Sequence, residues 1–327
     1  MELTGLVTPV FWAGFIAFVL AMLALDLFVL GGGKSHKVSA REALGWTGVW
    51  VTLSLSFCGL LWWWLDGVAG RELANAKALE FRTGYLIELS LSVDNIFVFI
   101  MIFSFFAVPA EYQRRVLVFG VLGAIVLRAI MILAGALLVA KFHWILYVFG
   151  LFLVVTGFKM LIFADKQSDL TQNPVLKWMR GHLRITHEYH AEKFTVMKDG
   201  ARWFTPLFLV LMLVETSDVI FAVDSIPAIF SVTTDPFIVF TSNIFAIMGL
   251  RSMYFLLADL NGRFHLLKYG LAMVLVFVGT KMLIADFYKV PIGLALGVVA
   301  LIIATSVAAS LFATRKRHSN GTKKALP

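Results

Sequence analysis

The segments ELSLSVDNIF (residues 88–97) and DVIFAVDSIP (218–227) each place two acidic residues inside an apolar stretch of the chain. Two further motifs follow each segment, and those after the first segment resemble, in the same order, those after the second. These are LRAIMIL (127–133) and GFKMLI (157–162) after the first segment, and LRSMYFL (250–256) and GTKMLI (279–284) after the second. The alternative explanation is that such motifs recur because hydrophobic helices use few residue types. Three motifs in the same order, each carrying a charge, favour two related blocks of the chain over this alternative.

Each block consists of three predicted helices, and an odd number of membrane crossings forces the second copy to enter from the opposite face. The motifs match Asp94 with Asp224, Arg128 with Arg251, and Lys159 with Lys281. Inverted repeats of this kind are typical of secondary transporters, which bind their substrate near the middle of the membrane where the copies meet. The sequence predicts this architecture.

The composition excludes a soluble globular protein. Of the 327 residues, 60% are hydrophobic and 15% are charged, and the mean hydropathy is +0.87; globular chains carry about 25% charged residues. A helix needs about 20 apolar residues to cross a bilayer, and the long stretches here do not alternate as transmembrane strands do. Nine stretches qualify: 6–30, 44–65, 81–107, 116–139, 144–164, 204–231, 237–258, 267–287 and 290–313. We predict an all-α polytopic membrane protein whose first helix is retained and not cleaved as a signal.

Positive charge is distributed unequally between the predicted loops. Nineteen of the 28 lysines and arginines fall on one side of the predicted membrane, five on the other and four inside the spans. Since cytoplasmic loops are enriched in basic residues, the N-terminus is predicted outside and the C-terminus inside. The net charge of +8 is thereby explained by topology, and no nucleic-acid partner is expected.

These boundaries divide the chain into six parts. They are a two-helix segment (1–79), repeat 1 (80–165), a cytoplasmic loop (166–203), repeat 2 (204–287), a last transmembrane helix (288–313) and a basic tail (314–327). Within the loop, residues 174–185 have the pattern of an interfacial amphipathic helix, and 194–204 predict a β-hairpin around Asp199-Gly200. Its three histidines, His182, His187 and His190, match no strong metal-ligand spacing.

Six acidic residues lie within the predicted spans: Asp26, Glu88, Asp94, Glu215, Asp218 and Asp224. With Arg128 and Arg251 they leave a net charge of −4, and ionised groups facing lipid would each cost roughly 2.5 to 3.5 kcal/mol. A structural ion-pair network with the two arginines accounts for part of this cluster. Charge counting leaves the rest to be protonated or to bind a cation.

The neighbouring side chains supply oxygen ligands, including Ser92, Asn95, Ser225 and Asn243, while no histidine, cysteine or methionine lies in either aspartate motif. Such sites favour Mg, Ca and Mn over Zn or Cu. Pro227 frees the carbonyl of Val223, which predicts either a broken sixth helix or a simple kink.

The motifs SLSVDNIFVF and VETSDVIFAVDSIPAIF, with TSNIFAIMGLRSMYFLL after them, resemble the TerC family of membrane proteins from about Trp12 to residue 310. The resemblance implies manganese export from the cytoplasm and an ion site made of acidic motif residues. Carried over by position, the metal-binding residues are Glu88, Asp94, Asn95, Glu215, Asp218, Asp224 and Ser225.

The leading hypothesis is a secondary transporter in the bacterial inner membrane that exports Mn(II), in exchange for protons. It has no prosthetic group and no enzymatic activity; its partners are the divalent ion, protons and the lipid bilayer, with protein partners left open. One alternative is a membrane scaffold that assists metal loading of exported proteins. A weaker one is an intramembrane aspartyl protease using Asp94 and Asp224, although neither lies in a GxGD pattern.

Overall fold

The computed structural model describes residues 9–29, 40–142, 144–163, 172–198, 200–259, 266–288 and 290–324. These residues form ten helices and one β-hairpin. The helices are α1 (Pro9–Val29), α2 (Ala40–Ala69), α3 (Arg71–Phe105), α4 (Ala110–Lys141), α5 (Ile145–Phe163), α6 (Pro174–His182), α7 (Pro206–Phe230), α8 (Pro236–Asp259), α9 (Leu267–Leu283) and α10 (Ile292–Lys324). The strands are β1 (Thr195–Lys198) and β2 (Ala201–Phe204).

Each of the nine predicted apolar stretches overlaps one helix, and the all-α polytopic membrane fold is confirmed. Within the described residues, seven helices are long and apolar enough to cross a membrane. The apolar part of α1 is shorter, at Pro9–Leu25, and α9 has 17 residues. The count of nine crossings stays a prediction.

The packing between the two predicted repeats is symmetric: when a helix of one repeat contacts a helix of the other, the equivalent helices also contact each other. Repeat 1 contributes α3, α4 and α5, and repeat 2 contributes α7, α8 and α9 in the same order. The helix α3 packs against α8, and the exchanged pair, α7 and α4, also packs together. Equivalent helices contact each other as well, most extensively α5 with α9.

Close glycine contacts give the direction of α5 relative to α9. A Cβ placed on Gly279 lies 2.6 Å from the carbonyl oxygen of Gly150, and one placed on Gly157 lies 2.8 Å from that of Ala272. Moving along α5 from residue 150 to 157 thus means moving backward along α9 from 279 to 272, so the equivalent helices are antiparallel. This supports the predicted inverted repeat.

The helix α7 runs without interruption through Pro227 and ends at Phe230. Of the two predicted alternatives for Pro227, the broken sixth helix is therefore wrong, and the kink stays a prediction. The missing N–H of Pro227 falls in the last turn, where few further backbone hydrogen bonds depend on helical continuity. Ser231 follows as the C-cap and donates its backbone N–H to the carbonyl of Pro227.

The loop between the repeats is folded against the same end of the bundle as the α3–α4 turn. The predicted hairpin is confirmed, with β1 antiparallel to β2 and Gly200 at φ 74°; Asp199 lies outside the described residues. The hydroxyl of Tyr189 donates to the carbonyl of Phe106 at 2.7 Å. Burial raises the pKa of the Tyr189 phenol, so it keeps its proton and this bond at physiological pH.

The predicted amphipathic helix in the loop is present as α6, which Asn173 caps by accepting from the N–H groups of Val175 and Leu176. Its apolar residues divide between two environments. Leu176 and Met179 are buried in the core of the protein, while Trp178 is exposed. The location of α6 at the membrane interface stays a prediction. Of these three residues, only Trp178 is exposed and could contact lipid.

Candidate functional site

Arg128 of α4 lies at the centre of the buried polar residues. Its side chain is 0% exposed and forms ion pairs with Glu88 of α3 and Asp218 of α7. Towards Asp218 the guanidinium is bidentate, with Nη2 donating to Oδ1 at 2.8 Å and Nε donating to Oδ2 at 3.1 Å. Glu88 and Asp218 occupy equivalent positions in the two repeats, so one arginine joins a repeat-related pair of acids.

Three more of the predicted oxygen ligands converge on this group. Asn95 donates to Asp218 Oδ1 at 3.3 Å, and Arg128 Nη1 contacts Ser225 Oγ at 3.5 Å and Asn243 Oδ1 at 3.4 Å. Four of the seven predicted site residues therefore meet: Glu88, Asn95, Asp218 and Ser225. We call these four residues, together with Arg128 and Asn243, the central cluster.

The central cluster carries a net charge of −1 from two carboxylates and one guanidinium. Glu88 and Arg128 are 0% exposed and Asp218 is 2% exposed. Desolvating buried charges costs several kcal/mol per ion, and only good geometry with further hydrogen bonds offsets it. The structural ion-pair reading of the sequence is thus correct for Glu88 and Asp218, with one arginine binding both.

Glu215 lies one turn before Asp218 on α7, and it is close enough to interact with that carboxylate. Its own carboxylate packs against Gly123 of α4, in the space that a Cβ at this position would fill. Gly123 is therefore required by close approach, a role that the sequence analysis missed. Glu215 borders the central cluster without entering it.

Asp224 is not brought to Arg128. It faces α5, where the hydroxyl of Thr156 and the ammonium of Lys159 are its neighbours. Adjacent helical residues point about 100° apart, which explains why Ser225 reaches the cluster and Asp224 does not. Lys159 is itself exposed. The side chains of Asp94 and Asp26 lie outside the described residues.

Several side-chain oxygens of this region are buried without a hydrogen-bond partner in the described part of the chain. They are Glu88 Oε2, Ser92 Oγ, Asn95 Oδ1, Glu215 Oε2 and Asp224 Oδ1. A buried acceptor left unsatisfied costs about 1–3 kcal/mol. Oxygens of carboxylates, amides and hydroxyls are the ligands that hard cations take.

The described residues do not contain a ready-made metal site. No three His, Cys, Asp or Glu side chains among them come together in an arrangement that could hold a metal ion. This applies to His182, His187 and His190 of the loop as well. Around the central cluster the reason is visible, since the guanidinium of Arg128 stands between Glu88 and Asp218.

A second buried polar group, unforeseen from the sequence, lies at the far end of α3. Lys77 Nζ pairs with Glu80 at 2.8 Å and with Asp235 at 3.7 Å, and Thr233 donates to Glu80 at 2.6 Å. This group ties the start of α3 to the α7–α8 connection. Lys281 of α9 donates to the carbonyl of Ser231 at 3.0 Å in the same connection.

Comparison with known proteins gives a match to the family described as "Integral membrane protein TerC family" over residues 73–318. The chain belongs to the TerC family. All seven predicted site residues, and Arg128, fall inside the TerC match. No solved structure matches the chain.

Relatives in the TerC family match nearly the whole chain. The "Putative membrane-bound redox modulator Alx" of Salmonella typhi is 55% identical over 310 residues, covering 95% of this chain and 96% of the relative. The protein of the same name from Escherichia coli K12 is 58% identical over 292 residues, covering 89% and 91%. The "Uncharacterized membrane protein STKORF319" of Myxococcus xanthus is 52% identical over 308 residues, covering 94% of each chain.

Proposed function

We propose that this TerC-family membrane protein is a secondary transporter that exports Mn(II) across the bacterial inner membrane, with its N-terminus outside and C-terminus in the cytoplasm. The observation that carries the proposal is the central cluster. It brings Glu88 of α3 and Asp218 of α7, the first acids of the two related sequence motifs, together on Arg128 of α4, which lies at the contact between the repeats if these are inverted as predicted. Such a position is where inverted-repeat transporters bind their substrates.

The chemistry of the residues supports a hard divalent ion. The cluster and its border present carboxylate, amide and hydroxyl oxygens, several of them buried without a hydrogen-bond partner among the described residues. Neither aspartate motif contains a methionine or a cysteine that could supply a sulfur ligand. Oxygen-rich sites of this kind suit Mn, Mg and Ca.

Charge balance supports an exchange with protons. Glu88, Glu215 and Asp218 carry three formal negative charges against one positive charge on Arg128, and a bound divalent ion offsets the remaining two; Asp224 has the ammonium of Lys159 as its own neighbour. When the ion leaves, protons taken up by the carboxylates restore the balance. The metal and the protons then compete for the same oxygens.

The direct test is uptake of divalent ions into everted membrane vesicles, in which export from the cell becomes accumulation in the lumen. Wild-type vesicles with an acid lumen should accumulate Mn(II) above vesicles that lack the protein, and a panel of Mg, Ca, Fe(II) and Zn gives the selectivity. Glu88→Gln should abolish uptake, since it removes a carboxylate while the Arg128–Asp218 pair stays neutral.

The matched control is Glu192→Gln, which removes a carboxylate that is 38% exposed and paired with Arg115 in the loop. This variant should transport like the wild type. Uptake by Glu88→Gln at the wild-type rate, or no uptake of any ion by the wild type, would contradict the proposal. A scaffold that lacks Glu88 would still support metal loading of exported enzymes. Measuring the activity of those enzymes in cells that carry Glu88→Gln therefore separates the scaffold from the transporter.

The name of the Alx relatives suggests a redox role, which an exporter of a redox-active metal ion can serve indirectly. A direct thiol mechanism is disfavoured because the chain has one cysteine, Cys58, and cannot form an intramolecular disulfide. Cys58 is also buried, with its Sγ 3.6 Å from the carbonyl of Ala78.

A further inference from the structure

Arg128 occupies carboxylate oxygens that the proposed transported ion would need. Glu88 and Asp218 are the two carboxylates of the central cluster, and both are held by this one guanidinium. An ion that used their oxygens would meet a positive charge within hydrogen-bond distance of each. Like charges at such separations repel strongly, so an ion competes with the guanidinium for the three oxygens that Arg128 holds, Glu88 Oε1 and both oxygens of Asp218.

The structure also provides acceptors to which Arg128 can shift. Its Nη1 contacts Ser225 Oγ at 3.5 Å and Asn243 Oδ1 at 3.4 Å, distances at the outer limit of a hydrogen bond. Both acceptors are neutral and almost completely buried. If the guanidinium moved towards them, they would accept hydrogen bonds in place of those that Glu88 accepts now.

We propose that Arg128 is a tethered competitor of the transported ion. It occupies the carboxylates of Glu88 and Asp218 until the ion displaces it towards Asn243 and Ser225, and it returns to them as the ion leaves. The inference rests on the proposed transport function and makes Arg128 a positioning residue, not an ion ligand.

Two consequences distinguish competition from a merely structural role. A competitor weakens ion binding, so a weaker competitor in its place must tighten binding and lower KM. It also accelerates release by refilling the carboxylates, so the same change must lower the turnover number. Damage to the fold alone reduces the amount of active protein and leaves the KM of the surviving fraction unchanged.

The principal variant is Arg128→Lys, which keeps the charge but cannot form the bidentate pair with Asp218 together with the bond to Glu88. We expect its KM for Mn(II) uptake into everted vesicles to fall at least threefold and its turnover to fall by a similar factor. Arg128→Gln, measured on the monodisperse purified fraction, should bind Mn(II) at least tenfold more tightly by electron paramagnetic resonance titration. The matched control is Arg115→Gln, an arginine of the same helix that is 40% exposed, which should change neither value.

The outcomes separate this inference from the function on which it rests. If the wild type neither transports nor binds Mn(II), the proposed function fails. If the wild type transports while Arg128→Lys keeps the wild-type KM or raises it, the competitor role is overturned and the export function stands. If Arg128→Gln does not accumulate as a monodisperse protein, the KM and turnover of Arg128→Lys decide the question.

Discussion

Replacing Gly279 by alanine should loosen the contact between α5 and α9. The added Cβ would lie 2.6 Å from the carbonyl oxygen of Gly150 and 2.9 Å from the Cβ of Leu153. An ordinary contact begins at 3.4 Å, so the helices must separate by about 0.8 Å here. The carbonyl belongs to a helix backbone and cannot rotate aside, and a gap of about 0.5–1 Å forfeits a quarter to a half of the dispersion energy of the atoms involved.

Overpacking of this kind costs about 1–3 kcal/mol. In a thermal unfolding assay of the detergent-purified protein, this corresponds to a fall in melting temperature of roughly 2–4 °C per kcal/mol. The control is Gly297→Ala in α10, where a Cβ meets no atom within 4 Å. Both changes improve helix propensity by about 1 kcal/mol, so their difference isolates the steric effect. Equal melting temperatures for the two variants would refute the glycine contact.

Four further outcomes are expected. Reporter fusions should place the 166–203 loop and the C-terminus in the cytoplasm and the N-terminus outside, and a periplasmic signal from the loop would reverse the assigned orientation. Asp94→Asn and Asp224→Asn should each abolish Mn(II) uptake in vesicles with near-normal membrane abundance, because each removes one charge from an over-acidic region; full transport by both would exclude these residues from the site. Arg128→Leu should instead destabilise the protein by about 3–5 kcal/mol, seen as lost abundance and melting temperature, because it leaves Glu88 and Asp218 without a counter-charge. Mn(II) binding should release protons and weaken as pH falls, which calorimetry in buffers of different ionisation enthalpy measures; binding without proton release would argue for a uniporter or another counter-ion.

The helices could be predicted from the sequence because their lengths and composition are set by the bilayer. Runs of about 20 apolar residues leave few alternatives in lipid, where every backbone group must be bonded within its own segment. The β-hairpin of the loop was equally predictable, since a turn signal stands between two short arms. The effect of Pro227 was not, because the cost of a proline depends on how much helix follows it.

The site was only partly predictable for a geometric reason. The sequence identified the acids and the two arginines, but which acid meets which arginine depends on the rotation of four helices about their axes. Ser225 faces Arg128 and its neighbour Asp224 faces Lys159, a difference that follows from packing against α4 and α5. The role of Gly123 depends on a carboxylate that is 92 residues away in the chain, so no local pattern indicates it.

The burial of α8 has a consequence for how the protein is made. Of the seven candidate spans in the described residues, α8 is the least apolar, and 89% of its most apolar 18-residue stretch is enclosed by protein. It packs mainly against α2, α3 and α4, all of which the ribosome completes earlier. The partner helices that enclose Thr241, Ser242 and Asn243 in the folded protein are therefore synthesised before these polar residues are. The order of the helices along the chain thus supplies α8 with its environment before α8 emerges.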